Sequence, residues 1–159
     1  MTVALIDDQA LGAVLRGELP APLGRRPLAT TGCWYVRLCQ AVLSATERPG
    51  VLSRPFEELP EAHRRQAVDA LVELPVQIEL VSLRHLGPAI GRLRQRHSLN
   101  LLAGEAVAAA KHLGADVFLS TPSPMLEQAL AIEGRTWARL LWPGHRPAAP
   151  AALADPARR

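Results

Sequence analysis

Val3-Ala4-Leu5-Ile6-Asp7-Asp8 is a short, unbroken apolar run that ends in two acids. With no polar residue alternating through it, the run predicts a strand buried on both faces, as in a parallel sheet covered by helices. Ala10, Leu11, Val14 and Leu15 then recur at helical spacing up to Gly17, a plausible stop. The same strand-then-helix rhythm continues downstream. Further strands are predicted over 76–83, at Asp116-Val117-Phe118-Leu119-Ser120 and over 136–142. Helices are predicted over 33–46, capped by Thr30 or Thr31, over 56–74, over 87–97 with Pro88 in the first turn, and over 101–113 up to Gly114. A last helix starts at Ser123-Pro124, with Ser123 as its cap, and ends near Gly134. The stretch 18–27 holds three prolines, a glycine and Arg25-Arg26, and reads as an exposed loop. Strands separated by helices predict a three-layer α/β/α domain with a mainly parallel sheet.

The chain has 159 residues, 48% hydrophobic and 21% charged, which suits one globular domain and excludes general disorder. That domain is expected over 1–142. The segment 143–159, with four prolines and six alanines before a final Arg158-Arg159, is expected to be a disordered tail. The longest uncharged stretches, 27–36 and 117–126, fall short of the roughly 18 apolar residues of a membrane span. The first residues carry Asp7 and Asp8 and lack the basic-then-apolar pattern of a signal peptide, so the expected location is the cytoplasm. Cys33 and Cys39 lie about 600° apart on one helix, which reads as two reduced thiols rather than a disulfide. The net charge of +3 comes with 17 arginines and one lysine, a balance too mild to indicate a nucleic-acid partner by itself.

In an α/β sheet with right-handed crossovers, ligand-facing groups gather at the carboxyl ends of the strands. Asp7 and Asp8 belong to that edge, as do Ser120 to Ser123. So does the start of helix 101–113, with Asn100, Gly104 and Glu105. One of Asp7 and Asp8 would cap the first helix, and Glu105 would favour its own helix dipole.

Three segments together resemble the PIN domain family, metal-dependent nucleases that include many toxin ribonucleases. Val3-Ala4-Leu5-Ile6-Asp7-Asp8-Gln9-Ala10-Leu11 is similar to the family's opening strand and first acid. Thr30-Thr31-Gly32-Cys33-Trp34-Tyr35-Val36-Arg37-Leu38 is similar to its small-residue helix start. The stretch from Ala106 to Ser120 resembles its alanine-rich helix, Gly turn and closing strand. The resemblance implies carboxylates around Mg²⁺ or Mn²⁺, with the ion activating water against a phosphodiester. Asp7 falls on a family acid, and Asp8 and Glu105 would be its supporting acids, with Asp7 and Glu105 as metal ligands. The other family positions are occupied differently here: Arg37 stands at the middle Glu position, Ala103 and Pro122 at two further acids. Arg37 would contact phosphate or pair with Asp7 or Glu105 in place of the ion.

Arg84, His85, Arg92, Arg94, Arg96 and His97 form the densest basic segment, and Arg92, Arg94 and Arg96 are the candidates for contact with an RNA or DNA backbone. Trp34 and Tyr35 are expected to pack on the sheet, Trp137 and Trp142 to anchor the last strand, and His63, His112 and His145 carry no ligand spacing. The resemblance thus implies a nucleic-acid-related protein with a degenerate acidic site, a metal-dependent ribonuclease of toxin type if active. The alternative is a non-catalytic interaction module that keeps the fold. Partners on these readings are RNA, a protein such as an antitoxin, or a second copy in a homodimer, and no membrane.

Overall fold

The structure, a computed structural model, describes residues 1–44 and 48–142. The expected tail over 143–159 and the last positions of the helix expected over 33–46 lie outside the described residues. The elements run β1 (Ala4–Ile6), α1 (Asp8–Leu15), β2 (Leu28–Thr31), α2 (Gly32–Leu43), α3 (Arg54–Glu57), α4 (Glu61–Val72), β3 (Ile78–Val81), α5 (Leu83–Arg96), α6 (Leu101–Leu113), β4 (Asp116–Leu119), α7 (Pro124–Ile132) and β5 (Trp137–Arg139). A short 3₁₀ turn, Ala21–Leu23, precedes β2.

The five strands form one sheet in the order β3-β2-β1-β4-β5, with every pairing parallel. The apolar run that opens the sequence is the central strand, and all three of its residues are buried. Strand alternation then divides the core in two. Leu5, Ala29, Val117 and Leu119 face a cluster built from α5, α6 and α7, joined by Trp34. Ala4, Ile6 and Phe118 face the other, built from α1 to α4 with Leu11, Leu38, Phe56 and Leu71. Helices therefore cover both faces, and the domain is a three-layer α/β/α fold. Trp137 packs against the first cluster and Trp142 against the second, consistent with their expected anchoring of the last strand.

Several local elements differ from the expectation. Residues 28–31, expected to lead into a helix cap, form strand β2. Its polar side chains are satisfied inside the sheet, with the Thr30 hydroxyl donating to the Ile6 carbonyl at 3.0 Å. The expected exposed loop 18–27 contains the 3₁₀ turn and a fully buried Leu23. The single helix expected over 56–74 is two helices, because Pro60 supplies no N–H and holds extended backbone (φ −52°, ψ 145°) at the start of α4. Helix α5 begins at Leu83, capped by the Ser82 hydroxyl, so Pro88 lies inside the helix rather than in its first turn. The strand before α5 is correspondingly shorter than expected. At the start of α7 the Ser123 side chain makes no cap. Instead its N–H donates to Glu127, four residues on, at 3.1 Å. Gly114 adopts the left-handed conformation (φ 60°) that closes α6, as its sequence position predicts.

Candidate functional site

The strand order reverses direction at β1. From β1 the chain moves out through β2 to β3, then returns to place β4 on the other side of β1. The crevice between the carboxyl ends of β1 and β4 is thus the topological switch point, where open α/β sheets bind ligands. Asp7 follows β1 and Ser120 follows β4, one on each side of this crevice.

The two are joined directly. Asp7 accepts from the Ser120 N–H through one oxygen and from the Ser120 hydroxyl at 2.8 Å through the other. The second oxygen also accepts from the Ala10 N–H at 2.9 Å, so Asp7 is the N-cap of α1 as the sequence suggests. Burial nonetheless dominates its ionisation: desolvation, resisted by these hydrogen bonds, raises its pKa from 3.8 to about 6.

Asp8 is also buried, and desolvation raises its pKa while Arg37 opposes the rise. The Arg37 guanidinium lies 3.3 Å from Asp8 Oδ2, so the expected pairing of Arg37 with Asp7 or Glu105 is corrected to a pairing with Asp8. The contact is one of charge without hydrogen-bond alignment, and Oδ2 is left with no hydrogen-bond donor. The other oxygen of Asp8 accepts from the Gln9 N–H.

Glu105 has no exposed surface, although it is a carboxylate. It lies against the start of α2, accepting from the Gly32 N–H at 3.1 Å and the Cys33 N–H at 2.7 Å. Thr31 takes the next free donor, the Trp34 N–H. A helix N-terminus is an anion site in waiting, with free N–H groups and the positive end of the dipole. Here the protein's own carboxylate fills it. Gly32 makes the approach possible, since a Cβ at that position would lie 3.1 Å from Glu105 Oε1. Burial, followed by the hydrogen bond to Glu105, pushes the Cys33 thiol up to about 11, so it is an inert thiol at neutral pH.

The sequence therefore places all three candidate acids at the correct edge. Asp116, by contrast, pairs with Arg26 and Thr136 at the start of β4, away from that edge. A divalent ion does not fit the acid donors as they are arranged. Of the six oxygens of Asp7, Asp8 and Glu105, five accept protein hydrogen bonds and the sixth faces a guanidinium. Among the described residues no three His, Cys, Asp or Glu side chains group so as to hold a metal ion. Beside Arg37 an apolar groove of about 480 Å³ is lined by Val36, Leu83 and Leu101, each about half exposed.

Arg92, Arg94 and Arg96, the remaining site candidates, are exposed on α5. Arg96 is drawn to Glu133 at 2.9 Å, together with His97 at 2.8 Å and Lys111. Arg92 and Arg96 line a second groove with residues of α6; Arg94 is not among its lining residues. Gly32 and Lys111 carry no site signal in the sequence, whereas Ser120 is signalled by its place at the carboxyl end of a predicted strand. No helix among the described residues is long and apolar enough to cross a membrane. The sequence matches no protein-family model and no curated protein.

Proposed function

We propose that the chain is a nucleic-acid-binding domain of PIN-like build in which the acidic edge holds the fold together and does not hydrolyse phosphodiesters. The observation that carries this reading is Arg37, whose guanidinium lies 3.3 Å from Asp8 where the resemblance calls for an acid and an ion. A fixed cation at that point offsets the charge of Asp8 and repels a second one. Asp7 and Glu105, the candidate metal ligands, are occupied by the Ser120 and α2 contacts. On this reading neither Mg²⁺ nor Mn²⁺ is needed, and affinity comes from the exposed arginines of α5.

The second reading, a protein-interaction module, is favoured by the apolar groove beside Arg37, where an antitoxin-like segment or a second copy of the chain would bury Val36, Leu83 and Leu101.

Fluorescence anisotropy of a labelled single-stranded RNA separates these readings, run first in chelator and then with Mn²⁺, with a gel to read cleavage. The expected outcome is salt-sensitive binding in chelator and intact RNA after incubation with Mn²⁺. Cleavage that requires Mn²⁺ and disappears in Asp7→Asn would establish the metal nuclease instead. No RNA binding at low salt would leave the protein-interaction module.

A further inference from the structure

The sequence concentrates its basic residues on α5, but the groove they face has a second wall. His85, Arg92 and Arg96 of α5 and Lys111 and His112 of α6 line one polar groove of about 400 Å³. The His85 and His112 rings stack with centroids 5.8 Å apart and planes within 7°. Neither ring has a hydrogen-bond partner among the described residues. The acid at this place is Glu133 of α7, with a side chain only 8% exposed, and it is already shared by Lys111, Arg96 and His97. Those contacts, led by Lys111, hold its pKa down at about 2, so it stays ionised and fixes Lys111 and Arg96 at one end of the groove. Arg92 makes no ion pair among the described residues. The groove thus combines two anchored cations, one unpaired guanidinium and two imidazoles, with a single acid to balance them.

We propose that this groove is a phosphate-binding site, with Arg92 and the His85–His112 pair as its direct ligands and Lys111 and Arg96 as fixed flanking charge. Two parallel imidazoles at this separation repel when both are protonated, and a phosphate oxygen between their edges relieves that repulsion. The groups facing the pair are Arg92 and Arg96 from α5, Lys111 from α6 and Glu133 from α7. The phosphate is either the backbone of a nucleic acid or a free phosphate group; the first source rests on the function proposed above.

The test follows the His85 and His112 ring C–H signals by NMR while inorganic phosphate, and separately the single-stranded RNA, is added to the whole chain. RNA affinity is measured by anisotropy in parallel for the wild-type chain and for Arg92→Gln combined with His85→Gln and His112→Gln. These positions are exposed, so the variant is expected to keep its fold, checked by an unchanged melting temperature. For the backbone source, RNA shifts both rings, the triple variant binds roughly tenfold more weakly, and the slope of log affinity against log salt shrinks by about one per charge removed. Rings that respond to inorganic phosphate in a chain that binds no RNA support the groove as a site for free phosphate groups and overturn the nucleic-acid function alone. RNA binding with unmoved rings and an unweakened variant overturns the groove while that function stands. Rings unmoved by either ligand at millimolar concentration also overturn the groove.

Discussion

The carboxyl edge of the sheet and the α5–α6 groove are both charged, and they use charge in opposite ways. At the edge, Asp7, Asp8 and Glu105 are buried, and their oxygens are taken up by backbone N–H groups, Ser120 and Arg37. In the groove the basic groups lie at the surface, and one shared acid serves Arg96, Lys111 and the neighbouring His97. Charge that is buried must be satisfied internally or it unfolds the chain. Exposed charge of one sign costs the fold little and remains available to a ligand. Substitutions at the edge should therefore register in stability, and substitutions in the groove in binding.

The largest effect is expected at Glu105. Glu105→Ala leaves two N–H groups of α2 without partners and opens a cavity in the core, a loss of about 4 kcal/mol. Glu105→Gln keeps the volume and one acceptor and should cost roughly half as much. Denaturant unfolding of the two variants measures both, and a cost below 1 kcal/mol for the alanine would break the comparison at its strongest point.

Asp7 gives the next effect, through pH. Its folded pKa of about 6 lies above the ordinary value of 3.8, so the folded state binds the proton more tightly. Its contribution to stability is fully present below pH 3.8 and is lost as pH rises through 6. The loss amounts to about 3 kcal/mol. Asp8 shifts in the same direction. Glu133 acts oppositely: its contribution is present above pH 4.5 and is lost as pH falls through about 2, outside the Asp7 window. Unfolding midpoints between pH 4 and 7 should fall in the wild-type chain and flatten in Asp7→Asn, which starts from lower stability because the amide has one acceptor oxygen where the carboxylate uses two, for Ala10 and for Ser120. A wild-type profile that is flat over that range would show that the burial of Asp7 is not costly.

Arg37→Gln removes the charge that opposes desolvation of Asp8. The guanidinium is half exposed, so the expected cost is only about 1–2 kcal/mol at pH 7, shrinking as Asp8 protonates. A cost that grows toward low pH would contradict the pairing. The smallest effect belongs to the groove: His85→Gln with His112→Gln should change stability by no more than about 0.5 kcal/mol, because both rings are exposed. A thermal melt that drops by several degrees would show that the stacked pair supports the fold and would blur the contrast.

Much of this architecture is legible in the residues. The unbroken run Val3-Ala4-Leu5-Ile6 marks the central strand because full burial on both faces permits no polar alternation, and the acid after it marks both the cap and the carboxyl edge of the sheet. Strand β2 is hidden for the converse reason. Thr30 and Thr31 look like cap residues, and Thr31 is one, yet both also sit in the sheet, where Thr30 finds its partner on β1. The break at Pro60 is masked in the sequence by apolar residues that keep one helical face on either side of it. At the site, residue types are legible and partners are not. The choice of Asp8 over Asp7 for Arg37 depends on which carboxylate the Ser120 contacts have already engaged. The groove is invisible along the chain because His85 and His112 come from different helices and meet only when α5 packs on α6.

The most direct test of the inward-turned acidic edge is calorimetric titration of Mn²⁺ into the purified chain at neutral pH, with Asp7→Asn alongside. The account predicts no specific binding at millimolar Mn²⁺ in either protein, because Arg37 supplies the positive charge beside Asp8 and the other carboxylates are engaged. Stoichiometric binding by the wild-type chain that disappears in Asp7→Asn would contradict it and restore the acids to a metal centre.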